Sequence, residues 1–133
     1  ARLVVNPFQR SKTQMAKTVC KILGLVFLLV GLLGFTQVLA FTQAHLTPAH
    51  NMVHIVSGVI ALYFGFAGSL SGARGFCLVF GIVYLALGLF GMLMGTDPGK
   101  MWHVGPLEFG TADHGIHLVL GAIFLAGGLF TKK

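Results

Sequence analysis

Residues 20–35 read CKILGLVFLLVGLLGF, and residues 77–92 read CLVFGIVYLALGLFGM. At an offset of 57, Cys20 meets Cys77, Gly24 meets Gly81, Gly31 meets Gly88, Gly34 meets Gly91, and Phe27 meets Tyr84. A second pair of stretches aligns at an offset of 63: AHNMVHIVSGVIALYFGF over 49–66, and ADHGIHLVLGAIFLAGGL over 112–129. Here His54 meets His117, Gly58 meets Gly121, and Gly65 meets Gly128. Glycine and leucine coincidences are common between apolar helices. The matched cysteines and histidines carry the repeat. A unit recurring at this period is one supersecondary element used twice. The longer second connection absorbs the difference between the offsets.

Each unit holds two stretches long enough for a bilayer, which needs about 20 mostly apolar residues per helix. We place four spans at about 22–41, 51–70, 76–95 and 114–131. The 133 residues are 56% hydrophobic and 9% charged, against about 25% charged in a soluble domain. The expected fold is therefore an all-α integral membrane four-helix bundle. It is built from two tandem helical hairpins of the same orientation, a parallel repeat about an axis along the membrane normal. The division expected is a basic tail over 1–20 and a four-transmembrane-helix domain over 21–133. A secretory signal is the competing reading of the first 40 residues, but the apolar stretch is long for one.

The net charge of +6 points away from nucleic acid once its distribution is read. Arg2, Arg10, Lys12, Lys17 and Lys21 precede the first span, Arg74 separates the second from the third, and Lys132 and Lys133 follow the fourth. With four spans these lie on one side, and Lys100 alone on the other. Basic residues accumulate on the cytoplasmic side, which places both termini there. Cys20 and Cys77 then lie at the cytoplasmic end as free thiols. The three acids and the six histidines gather at the opposite, outer end.

That outer end holds the candidate chemistry. His50 and His54 stand one helical turn apart, and Asp113, His114 and His117 open the fourth span. His54, Gly58, Ala61 and Gly65 share one helix face, so the histidines cap a tight seam of small residues. An ionisable group inside a span is a functional hypothesis by default. Four readings follow. In the first, the cluster is structural: Asn51 and Asp113 cap helix starts, and His54 and His117 hydrogen-bond within the bundle or to an outer loop. In the second, His54 and His117 are axial ligands of a haem or chlorophyll. In the third, His50, His54, His114 and His117 hold a metal, although no specific signature accompanies them. The fourth is proton movement. His45 and His103, in outer loops, are expected to contribute little. Nothing resembles a nucleophile elbow, a P-loop or a dinucleotide-binding turn.

The run from Pro48 to Gly58, with His50, Asn51, His54 and Gly58 in place, resembles the Asn-x-x-His opening of the second span in a family of small bacterial four-span membrane proteins of unknown function. Asp113 and His117 fit the opening of that family's fourth span, and the glycine-rich first and third spans are similar. The resemblance covers roughly residues 18–130. It implies the fold and a bacterial inner or thylakoid membrane, and no activity. The expectation from the sequence is thus a non-enzymatic accessory or scaffolding subunit of a larger respiratory or photosynthetic complex, in contact with lipid and other membrane subunits. A cofactor-binding protein is the alternative.

Overall fold

The computed structural model describes residues 14–131. It has four long helices: α1 (Met15–Leu33), α2 (Pro48–Phe66), α3 (Leu70–Met94) and α4 (Thr111–Leu129). All four are long and apolar enough to cross a membrane. Their outward faces carry exposed Ile22, Leu29, Val59, Ile82, Val119 and Leu129, the composition of a lipid-contacting surface. A 19-residue helix spans roughly 28 Å at 1.5 Å per residue, close to the hydrocarbon thickness.

The first helix is displaced from its expected position at 22–41. Beyond Gly34 the Thr36 hydroxyl donates to Leu33 O at 2.6 Å and accepts from the Val38 N–H, which turns the chain. A single 3-10 turn, Ala40–Thr42, follows. At its other end α1 gains Lys17 and Lys21, whose long stems can lie along apolar surface while the charge stays in the polar zone. The Ala16 N–H donates to Thr131 Oγ1 at 2.8 Å, so the residue after α4 satisfies one of the free donors of α1. The second helix starts at Pro48, not 51. Thr47 is its cap, with its hydroxyl accepting from the His50 N–H, and Pro48 suits the first helical position. Ser69 caps α3 in the same way through the Gly72 N–H. The connection between α3 and α4 carries a small antiparallel ribbon, β1 (Trp102–Val104) with β2 (Leu107–Phe109), turned by Gly105 at a φ of +57°.

Helix α1 packs mainly against α2, and α3 against α4. Glycine makes both seams. A Cβ on Gly58 would lie 2.8 Å from both Gly24 O and Leu28 N. One on Gly121 would lie 2.6 Å from Leu85 N and 3.0 Å from Gly81 O. Gly24 abuts Leu62 N, and Gly81 abuts Leu125 N. These contacts correspond residue for residue at the two offsets read from the sequence.

The hairpins meet through a separate set of side chains. At one end Cys20 Sγ lies 3.8 Å from Cys77 Sγ. The Cys20 thiol points at Ala73 O and the Cys77 thiol at Ala16 O, a reciprocal pair. Further along, Phe27, Phe76, Phe80, Tyr84 and Phe124 stack in the middle of the bundle. The end beyond them, which carries the connections 34–47 and 95–110, holds the histidines.

Candidate functional site at the histidine end

The polar residues of this end divide into two groups by what they touch. The first group fastens the loops. Asn51 Nδ2 donates to Leu46 O at 3.3 Å, and His114 Nε2 donates to Lys100 O at 2.7 Å. Asn51 and His114 are equivalent at the offset of 63, and both pack where a glycine leaves room, Gly34 for one and Gly91 for the other. Asn51 is therefore not a helix cap. It sits a turn inside α2 and holds the loop that precedes it.

Asp113 is the centre of the same group. Its carboxylate accepts from the Gly110 N–H at 2.8 Å, which fastens the start of α4 as the sequence suggested. It also accepts from the His45 backbone N–H at 3.1 Å and from His45 Nδ1 at 2.7 Å. His50 Nδ1 donates to His45 O at 2.9 Å. His45, expected to contribute little, thus joins the 34–47 loop to α4 and α2 together. Its sequence neighbourhood gave no periodic signal, because the partner is 68 residues away. His103 lies on the ribbon, exposed, 3.8 Å from Glu108.

The second group is His54 and His117, and here the expectation of hydrogen bonds fails. Among the described residues neither ring has a hydrogen-bond partner, although they are only 6% and 3% exposed. Both Nδ1 atoms are sealed and unpaired. The rings are held by aromatic contact instead. His54 stacks on Phe27 at 5.5 Å and meets the His50 ring, tilted, at 4.2 Å. His117 meets Phe109 edge-on at 4.8 Å and Tyr84 at 5.4 Å. Asn51 Oδ1 and His114 Nδ1 are also buried without a partner, but those side chains each make another hydrogen bond. The His54 and His117 rings make none among the described residues, whereas native proteins pair nearly all their buried polar groups.

A cavity of about 150 Å³ adjoins both rings. Its back wall is Phe27, His50, His54 and His117, and Leu39, Thr42, Ala44 and Leu46 of the 34–47 loop roof it. Its rim is Val26 and Val30 of α1 with Ile116 and Leu120 of α4. Val26 and Ile116 are each 41% exposed on the lipid-facing surface, so the cavity opens sideways between two helices. His54 and His117 each lie six residues into their helices, roughly 9 Å from the helix start.

The four-histidine metal set is not assembled. His50, His54 and His117 are neighbours, but His114 packs against Gly91 on the α3 side with Nε2 committed to Lys100 O. The described residues contain no group of three or more His, Cys, Asp or Glu side chains disposed to hold a metal ion.

The family model described as a domain of unknown function (DUF4383) matches residues 17–130, and the chain belongs to that family. No curated protein and no solved structure matches the chain.

Proposed function

We propose that this member of the DUF4383 family is a non-catalytic membrane protein that binds a membrane-dissolved ligand in the cleft between α1 and α4. One observation carries the reading: two buried imidazoles without partners line the same laterally open cavity. The loop-fastening side chains each use at least one polar atom, Asn51 Nδ2, His114 Nε2 and the Asp113 carboxylate, whereas among the described residues His54 and His117 use none. The Nδ1 atoms are sealed, so a ligand in the cavity would meet each ring on its Nε2 side and give it the hydrogen bond it lacks.

The cavity size argues against a haem or chlorophyll. Sites for drug-sized ligands occupy about 300–1,000 Å³, and a tetrapyrrole needs at least that. Phe27 stacks on the His54 ring and Tyr84 packs on the His117 ring, which leaves neither imidazole an open face on that side for a tetrapyrrole plane. Basic residues at the far end, among them Lys17, Lys21 and Arg74, support a cytoplasmic location for both termini in a bacterial inner or thylakoid membrane. The histidine end then faces outward.

Native mass spectrometry of the full chain, released from its own membranes in gentle detergent, tests the binding reading. A stoichiometric lipophile should accompany the wild type and be lost from Val30→Phe, which fills the rim. Equal adducts on both proteins would overturn it. The accessory-subunit reading rests on basic residues that mostly lie outside the described residues. Deleting residues 1–13 tests it, and loss of co-purifying membrane subunits would support it.

A further inference from the structure

We infer that the cleft ligand is a neutral quinone: a single ring bearing two carbonyl oxygens, with an apolar tail that leaves between α1 and α4. The assignment rests on the binding reading above and adds the chemical class.

Size comes first. A cavity of about 150 Å³ accommodates one six-membered ring and little more. The rest of any larger molecule must pass the aliphatic rim of Val26, Val30, Ile116 and Leu120 into lipid. A ring with a hydrocarbon tail satisfies both demands.

The ring's hydrogen-bonding character follows from the imidazoles. A neutral imidazole carries one donor and one acceptor nitrogen. The sealed nitrogen is Nδ1 in both His54 and His117. An orphaned buried donor is rarer in proteins than an under-satisfied acceptor. The favoured tautomer therefore keeps the proton on Nε2, and each ring offers one N–H. Two donors on one cavity call for a ligand with two acceptors. A quinone has two carbonyls and no donor of its own. A plain acyl chain would leave both imidazoles unpaired.

Charge excludes the anionic acceptors. Asp113, 2% exposed, also lines the cavity, and no Lys or Arg does so. A carboxylate or phosphate headgroup would sit beside a buried carboxylate with no cation to offset it.

The single tryptophan provides the readout. Trp102 lies 6.4 Å from Phe109, which in turn touches His117. Quinones quench indole fluorescence on close approach. The full chain in lipid nanodiscs is titrated with 2-decyl-1,4-benzoquinone, and competition is measured with decylbenzene, which has the tail and ring but no carbonyl. Quenching should saturate in the wild type and in Gly75→Ala, a substitution facing open space. His54→Leu and His117→Leu should each weaken it roughly tenfold, the worth of one hydrogen bond. Both variants replace an unpaired polar group by an apolar one, so folding is retained. Decylbenzene competing as strongly as the quinone would overturn the chemical class while leaving cleft binding intact. Quenching that is linear in concentration and unchanged by Val30→Phe would overturn both.

Discussion

The glycine seam allows a measurement in which one energetic term stands alone. Gly58→Ala adds a methyl group 2.8 Å from Gly24 O and Leu28 N, whereas an ordinary contact begins near 3.4 Å. Both obstacles are backbone atoms of α1, so no rotamer change absorbs the clash, and the helices must part by about 0.6 Å. Overpacking of this kind costs about 1–3 kcal/mol, and a rigid backbone neighbour puts it in the upper half. Gly115→Ala is the matched control, because a Cβ there meets nothing within 4 Å. The gain in helix propensity, about 1 kcal/mol, is common to both and cancels. The difference between the two variants is then the clash itself, about 2–3 kcal/mol. Reversible unfolding in mixed micelles, followed by circular dichroism against mole fraction of denaturing detergent, would measure it. Stabilities agreeing within about 0.5 kcal/mol, the range of surface substitutions, would refute the close-approach account. Gly121→Ala should repeat the Gly58 result in the other hairpin.

Four further outcomes are expected. In ligand-free protein, His54→Leu and His117→Leu should be neutral or mildly stabilising, since relief of an unpaired nitrogen offsets lost aromatic contact. Asn51→Leu and His114→Leu should cost about 1–3 kcal/mol each by leaving loop carbonyls unpaired, with detergent unfolding separating the two classes. Asp113→Ala removes a carboxylate that holds three N–H groups and should cost about 3 kcal/mol or more, since bonds to charged groups are worth about 1.5–3 kcal/mol each; hydrogen exchange should show the 34–47 connection losing protection first. Single cysteines at positions 44 and 104, in a background without Cys20 and Cys77, should label from outside the cell and one at 68 from the cytoplasm, and the reverse pattern would invert the proposed orientation.

The bundle was legible because its determinants are periodic. The matched glycines of the two repeats identify positions of close approach: facing backbone lies at Gly24, Gly31, Gly81 and Gly88, and the Asn51 and His114 side chains lie at Gly34 and Gly91. The span limits were legible only where polarity changes sharply. The stretch 34–41 is apolar enough to pass as helix, and only the hydroxyl of Thr36 bonding back to Leu33 turns the chain away. Asn51 looked like a cap because caps and loop anchors draw on the same side chains. The difference lies in whether the chain before it curls back, which Thr47 and Pro48 decide. His45 could not be singled out, since its partnership with Asp113 joins opposite halves of the chain. The unpaired state of His54 and His117 was out of reach for the same reason: a missing partner is a property of the surroundings, not of the residue.

The side chains between the hairpins change in size along the bundle. Where Cys20 faces Cys77, the flanking residues are Ala16 and Ala73. At the histidine end, Phe27, His54, Tyr84 and His117 take their place, and the cavity lies there. A cleft confined to one end of a membrane bundle exchanges with a single leaflet. Molecules that cross the membrane slowly would be met only if they reside in that leaflet, so the cleft would report the composition of one half of the bilayer and remain blind to the other.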